Sequence, residues 1–246
     1  MSLWANLRSS KNKKFFSFFI FSLCFYYLIK WMYFSYFDPA LDLYFEKINT
    51  TEKMVALTFD DGPSKEYTER ILDLLKKHDI KATFFVLGRN VEKLPHIFKR
   101  TYEEGHEIGN HTWTHPKLKY LWPSEIISEI EKTDQIIRNF GYLDPIHFRS
   151  PYLKIPIHLP WVLKRIKKFN ILCDIDPRDH KVPSVKDIVK TIMSELRPGS
   201  IILMHDANAD KNNTVKSLDL FIPAVKKMGY KFVTVDQLLR FHKKDK

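Results

Sequence analysis

The sequence predicts an α/β protein in which parallel strands alternate with crossover helices. Short apolar runs typical of buried strands alternate with segments whose apolar residues recur every three or four positions. The seven glycines fall where one such segment ends and the next begins. Strands separated by helices pair in parallel, because the helix carries the chain back to the end of the sheet where the previous strand began. The 246 residues suffice for one ordinary domain and an appendage.

The predicted elements follow one another from residue 55 to residue 242. Asn90 and Ser124 are expected to cap helices, and Gly105 and Gly141 to end them. The predicted strands are 55–59, 82–87, 106–110, 146–149, 170–174, 200–205 and 231–235. The predicted helices are 65–78, 90–104, 124–140, 159–168, 185–196, 215–228 and 236–242.

The N-terminal segment differs in composition from the rest of the chain. Basic residues in 1–14 precede an apolar run, 15–37, that only Lys30 interrupts with a charge. This pattern predicts an uncleaved transmembrane signal anchor with its basic flank in the cytoplasm. A cleaved signal peptide is the less favoured alternative, because aromatic residues stand where small residues would mark a cleavage site. Residues 38–51 are then a linker, and the domain 52–246 is expected outside the cytoplasm as part of a single-pass membrane protein.

Charge and cysteine content exclude some partners. The formal net charge is +11, of which about +6 remains after residue 37. That excess suits an anionic envelope surface, whereas the scattered lysines argue against a nucleic-acid partner. Cys24 lies in the apolar N-terminal run and Cys173 in a predicted strand, so no disulfide is expected. The oligomeric state cannot be read from the sequence.

Two adjacent carboxylates follow the first predicted strand. Asp60 and Asp61 come directly before the Gly62-Pro63 turn, at a carboxyl end of the kind where α/β folds place their active sites. Neighbouring carboxylates repel each other unless a positive charge holds them. A metal ion could take one as a ligand and leave the other as a base. A simple turn pair is the structural alternative.

Polar residues also follow the other predicted strands. If the sheet curls into a barrel, the carboxyl ends of these strands converge on one face. The residues concerned are Asn110 to His115, Arg149 to Tyr152, Asp174, Asp176, Asp179, His205 and Asp206. Together they supply metal ligands and proton-transfer groups on one predicted surface.

This set contains the parts of a hydrolytic metal site. Asp61, His111 and His115 form a three-ligand set for Zn²⁺ or a similar divalent ion such as Co²⁺, with positions left open for water and substrate. The ion would polarise a carbonyl and lower the pKa of its bound water. Asp60 would then take the proton from that water.

The remaining polar residues fit supporting roles in the same reaction. Arg149 is expected to hold Asp60 ionised, and His205 to act as the acid that protonates the leaving amine. Asp179, preferred over Asp176, would orient His205, and the backbone N–H of Tyr152 would stabilise the oxyanion. The predicted reaction class is metal-assisted hydrolysis of an acyl group. Three other polar residues are expected to be structural or peripheral: Asp206, His106 and His180.

Four ordered motifs resemble those of polysaccharide deacetylases of the NodB-homology family, carbohydrate esterase family 4. The motifs span 58–63, 105–115, 149–152 and 203–206, and the resemblance covers roughly residues 52–240. It implies a distorted (β/α) barrel with fewer than eight complete units and a metal-dependent N- or O-deacetylase of carbohydrate. It also implies Asp60 as base, Asp61, His111 and His115 as the metal triad, Arg149 as the partner of the base and His205 as acid. The family often has Asp-Trp where this chain has Asp179-His180.

Residues and resemblance together favour a hydrolase that removes N-acetyl groups from amino sugars of an envelope polysaccharide, such as peptidoglycan or a chitin-like polymer of N-acetylglucosamine. A lipid-linked amino sugar or an O-acetylated glycan would fit the same chemistry. A non-catalytic glycan-binding module is the alternative from another class. Asp60 and His205 argue against it, because a binding module needs neither a base nor an acid.

Overall fold

The computed structural model describes residues 10–32 and 43–242. The chain divides into two compact units, Met1–Asp42 and Leu43–Lys246. The described part of the first unit is the helix α1, Ser10–Met32. The remainder of the predicted N-terminal flank, anchor and linker up to residue 42 lies outside the described residues.

The predicted membrane anchor is wrong. Within residues 10–32 and 43–242, none of the helices combines the length and the apolar character that crossing a membrane requires. The transmembrane helix predicted at 15–37 and the membrane as a partner are therefore not supported. Hydroxyl groups interrupt the apolar surface of α1, and such groups are unfavourable in hydrocarbon; they belong to Ser17, Ser22, Tyr26 and Tyr27.

The second unit alternates strands and helices, as the sequence predicts. Its strands are β1 Tyr44–Phe45, β2 Met54–Asp60, β3 Thr83–Val86, β4 Glu107–Asn110, β5 Asn170–Ile171, β6 Ile201–His205 and β7 Lys231–Val233. Its helices are α2 Thr68–Lys77, α3 Gly88–Lys93, α4 Pro95–Glu103, α5 Pro123–Asn139, α6 Leu159–Ile166, α7 Val185–Glu195, α8 Asn212–Lys227 and α9 Val235–Leu239. The predicted α/β class is confirmed.

The strands are parallel, and they curl into a ring. The order β4-β3-β2-β6 forms the main sheet, and β7 pairs with the first half of β2. Parallel bridges then lead from Asn110 through Phe148 to Asn170, and from Ile175 to Ile202 of β6. The two sides of the ring therefore meet through β5 and the residues after it. This closure places the carboxyl ends of the strands around one opening, the expected position of a site in such a fold.

Apolar packing fixes β2 at the centre of the unit. Five of its residues are fully or almost fully buried apolar or hydroxyl side chains, and the ring of Phe59 stacks on that of Phe84 at 5.0 Å. Asp60 at its end is paired in register with Phe85 of β3 and His205 of β6. The buried strand therefore carries its terminal carboxylate to a fixed position at the opening.

Several element boundaries differ from the predicted ones. The predicted helix 90–104 is split into α3 and α4 at Leu94, because the residue before Pro95 is disfavoured in the helical conformation. The predicted strand 146–149 is reduced to bridges made by Phe148. The helix expected to begin with a Ser124 cap begins instead at Pro123.

Candidate active site

The predicted site residues meet at the opening of the ring. Asp60 and Asp61 end β2, and His205 ends β6 beside them. A cavity of about 290 Å³ is lined by Asp60, Asp61, His111, His115, Tyr152, Leu153, Asp176, His180, Leu203 and His205. Arg149 and Asp179 are buried in contact with Asp60 and His205 respectively.

Three side chains at the bottom of this cavity form a group that can hold a metal ion. Asp61 Oδ1 lies 3.5 Å from His115 Nε2 and 3.8 Å from His111 Nε2. The ligand atoms of the three residues all lie within 4.8 Å of one another. Asp61 Oδ1 is buried and, among the described residues, accepts no hydrogen bond. A buried carboxylate oxygen facing two imidazole nitrogens is the donor set that Zn²⁺ prefers, so the residues fit the ion.

Backbone contacts orient these three side chains. His111 Nδ1 lies 2.8 Å from the carbonyl of Arg149 and must donate to it, which leaves Nε2 as the ligand nitrogen. Asn90 Nδ2 donates to the Asp61 carbonyl at 2.7 Å, so Asn90 supports the site and is not the helix cap that the sequence predicts.

Asp61 and His115 both have positive φ, of 78° and 63°. A positive φ is uncommon for residues other than glycine, and the surrounding contacts hold the backbone of Asp61 and His115 in this conformation.

The protonation states suit a metal site. Burial raises the pKa of Asp61, but the charges of His111, His205 and His115 outweigh it and the pKa is lowered overall. Burial and the neighbouring His111 lower the pKa of His115 to about 4. At neutral pH Asp61 is therefore an anion and His115 a neutral imidazole. Metal ligation requires both of these forms.

Asp60 is held by a buried arginine. Arg149 Nη1 donates to Asp60 Oδ1 at 2.7 Å and to Thr58 Oγ1 at 2.8 Å. Nε and Nη2 of the same guanidinium donate to the carbonyls of Ile171 and Leu172. Asp60 Oδ2 is not engaged by Arg149 and lies 3.6 Å from His111 Nε2. One carboxylate oxygen is thus fixed, and the other is next to the metal group.

A second buried pair, His205 and Asp179, lies at the end of β6, next to the end of β2. His205 Nδ1 and Asp179 Oδ1 are 2.6 Å apart, and the backbone N–H of His205 donates to Asp179 Oδ2. Burial lowers the pKa of His205, but the hydrogen bond and charge of Asp179 outweigh this effect and raise the pKa to about 8. Asp176 also lines the cavity, yet its Oδ1 accepts from the backbone of Arg178. The structure therefore brings Asp179 to His205, as expected.

Tyr152 forms part of the rim. It lies in the short turn Pro151–Leu153 with a φ of 58°, and its ring centroid is 4.5 Å from that of His115. The side chain is 52% exposed, so it presents an aromatic surface beside the metal group. The expected role of its backbone N–H as an oxyanion donor stays a prediction.

Sequence reasoning missed one supporting residue, Glu129 on α5. Its Oε2 accepts from the backbone N–H groups of Trp113 and Thr114, and its Oε1 accepts from Thr114 Oγ1. These bonds hold the loop between the two histidine ligands. The sequence feature that could have indicated this role is that Glu129 stands next to Ile126 and Ile130, which form the buried face of α5.

Removing Glu129 should weaken metal binding. We expect Glu129→Ala to lower metal affinity about tenfold to hundredfold, because residues that orient metal ligands contribute on that scale. Zinc titration of the apoprotein measures the change. Glu131→Ala is the matched control, since Glu131 is an exposed residue of the same helix. Equal affinities of the two variants would show that the loop holds its position without Glu129.

Asp206 has the structural role expected for it. It is fully buried, accepts a hydrogen bond from Thr68 Oγ1 at 2.5 Å, and burial raises its pKa to about 7. A Cβ placed on Gly62 would come within 2.2 Å of its Oδ2. The turn after Asp61 therefore packs directly on Asp206, and only glycine fits there.

Known proteins are similar to this chain in sequence and in fold. The sequence profile of the polysaccharide deacetylase family matches residues 47–168. A peptidoglycan-N-acetylglucosamine deacetylase of Bacillus cereus is 38% identical over 219 residues, which are 88% of this chain and 78% of that protein. The chain belongs to the polysaccharide deacetylase family. The family resemblance found in the sequence is thereby confirmed, and the protein is a hydrolase of that family.

Two further polysaccharide deacetylases extend the comparison. A peptidoglycan-N-acetylmuramic acid deacetylase, PdaC of Bacillus subtilis, is 38% identical over 193 residues, covering 78% of this chain but only 40% of that longer protein. A solved peptidoglycan N-acetylglucosamine deacetylase, in complex with 4-naphthalen-1-yl-N-oxidanyl-benzamide, aligns with a TM-score of 0.78 at 37% identity. That alignment covers 87% of this chain and all of the solved chain.

Proposed function

We propose that this polysaccharide deacetylase is a metal-dependent hydrolase that removes N-acetyl groups from N-acetylglucosamine residues of peptidoglycan. The observation that carries the proposal is the in-register pairing of Asp60 with His205 across β2 and β6, which brings a carboxylate and an imidazole to the cavity that also contains the Asp61 metal group. The names of the related Bacillus deacetylases support the choice of peptidoglycan. Because that polymer lies outside the cytoplasm, we propose that the enzyme acts there.

Asp61, His111 and His115 would hold the ion, and Zn²⁺ suits two imidazoles and one carboxylate better than the harder Mg²⁺ does. Co²⁺ accepts the same donors. When bound, the ion supplies charge stabilisation at the acyl oxygen and makes water acidic enough to attack near neutral pH.

The side chains around the ion divide the proton transfers. Asp60 Oδ2, left free by Arg149, takes the proton of the attacking water. Arg149 fixes the orientation of Asp60 through the 2.7 Å bond to Oδ1. His205 has Nδ1 bound to Asp179, so its Nε2 gives a proton to the amide nitrogen as the C–N bond breaks. The backbone N–H of Tyr152 stabilises the oxyanion, and the products are acetate and a free amine.

Acetate release from purified peptidoglycan tests the proposal, with the full chain supplied with one equivalent of Zn²⁺ or Co²⁺. Chelation should abolish release and either ion should restore it. Asp60→Asn should lower the rate by about 10²- to 10⁴-fold, the usual contribution of a positioned base. Asp176→Asn, also at the cavity, serves as the control. An Asp60→Asn variant as fast as the parent would overturn the mechanism.

The same assay tests the substrate. N-Acetylglucosamine oligomers and an O-acetylated xylan are assayed in parallel, and mass spectrometry shows whether glucosamine or muramic acid is formed in peptidoglycan. Turnover of the xylan alone would show an O-deacetylase. Binding of glycans without any turnover would favour the non-catalytic module and overturn the proposed activity.

A further inference from the structure

Two groups of metal-ligating side chains occur within residues 10–32 and 43–242. One is the Asp61 group described above. The other consists of Asp179, His180 and His205, whose ligand atoms also lie within 4.8 Å of one another. The reaction uses Asp179 and His205 but gives no task to His180, which lines the same cavity. The second group therefore contains the proton donor of the reaction and one histidine with no other role.

Of the two carboxylate oxygens of Asp179, only Oδ1 is available to bind an ion. Its Oδ2 accepts from the backbone of His205 at 3.0 Å and from Thr214 Oγ1 at 2.8 Å. Among the described residues, its Oδ1 has one hydrogen-bond partner, His205 Nδ1 at 2.6 Å, and the two atoms share one proton when His205 is the acid. A divalent ion can replace that proton, because both atoms are lone-pair donors once the proton has left. The carboxylate itself is fixed by the other two bonds.

His180 supplies the third ligand. Its ring lies edge-on to the ring of His205, with the centroids 5.4 Å apart. His180 is exposed and lines the cavity, so a ring nitrogen of its neutral imidazole can offer a free lone pair to an ion. Two imidazoles and one carboxylate are the same donor set as in the Asp61 group.

We propose that Asp179, His180 and His205 form a second divalent-metal site, occupied when metal is in excess, that inhibits the enzyme. Binding forms bonds from the ion to Asp179 Oδ1, to His205 Nδ1 and to a nitrogen of His180, and releases the Nδ1 proton of His205 to solvent. Nε2 keeps its proton, but a metal-bound neutral imidazole is a much weaker acid than the imidazolium. The inhibition rests on the proposed function, since it converts the His205 imidazolium, the proposed acid, into a metal-bound imidazole. Losing a general acid lowers the rate by about 10²-fold or more.

Metal stoichiometry tests the site directly. The full chain is stripped of metal and dialysed against increasing Zn²⁺, and bound zinc per chain is measured. We expect two ions for the parent, one for His180→Phe and one for His115→Ala. His180→Phe retains an aromatic ring against His205 but has no ligand nitrogen, so it removes the second site alone. A parent that binds a single ion, or a His180→Phe variant that still binds two, overturns the proposal.

Acetate release in the same titration tests the inhibition. The rate of the parent should rise up to the first equivalent of zinc and then fall by about 10²-fold as the second site fills. His180→Phe should show no such fall relative to its own rate at one equivalent. A parent that keeps its full rate with two ions bound overturns the inhibition. Two bound ions without acetate release at any zinc level would instead contradict the proposed deacetylase function.

Discussion

Replacing Arg149 with methionine is expected to destabilise the protein by about 3–5 kcal/mol and to abolish acetate release. Arg149 is completely buried, and its guanidinium is the cation that compensates the buried carboxylate of Asp60. Methionine fills a similar volume but leaves that carboxylate without a counter-charge. It also leaves the carbonyls of Ile171 and Leu172 without their donors. Urea unfolding of parent and variant measures the loss.

A double variant separates charge from packing. Asp60→Asn in the Arg149→Met background removes the unpaired charge, so it should recover a large part of the lost stability while the protein stays inactive. Arg165→Met is the control, because Arg165 is exposed and should change stability by less than about 0.5 kcal/mol. If Asp60→Asn recovered nothing, the loss would come from packing and carbonyl contacts and the charge argument would fail.

The sequence predicted the centre of the site because strand ends are determined by local chemistry. Apolar β-formers run into Asp60 and Asp61, and Gly62 stops the strand, so the position of both carboxylates follows from a few neighbouring residues. His205 ends a second run of the same kind. In the structure, parallel pairing of β2 and β6 in register brings Asp60 and His205 together.

Contacts between distant segments could not be predicted in the same way. Glu129, on a helix, holds the loop between His111 and His115. In the sequence alone, a charged residue on a helix is typical of a solvent-exposed face. Pro95 divides the predicted helix 90–104 in two, although the helical spacing of its apolar residues continues on both sides of the proline.

The predicted N-terminal anchor was wrong for a different reason. The prediction rested on the length of the apolar run, in which Tyr26 and Tyr27 were counted as apolar residues in spite of their hydroxyl groups.

Asp179→Asn is expected to shift the pH profile of the reaction to lower pH. The proposed acid must be protonated to act, so activity falls as pH rises through the pKa of His205. In the parent, Asp179 raises that pKa to about 8 in spite of burial. Without the carboxylate, its hydrogen bond and charge no longer oppose the effect of burial, so the pKa of His205 falls. The alkaline limb of kcat/KM should therefore move down by at least about one pH unit.

Asp176→Asn provides the matched comparison, since Asp176 lines the same cavity but bonds to the backbone of Arg178. Its alkaline limb should stay near that of the parent. A bound divalent ion lowers the pKa of His205 in every variant, so the difference between the two variants at equal metal loading is the measurement. If Asp179→Asn lowered kcat/KM equally at every pH, Asp179 would serve only to position the imidazole. A shift confined to Asp179→Asn means that the carboxylate keeps His205 protonated, and the same carboxylate then controls when His205 is free to bind a second ion.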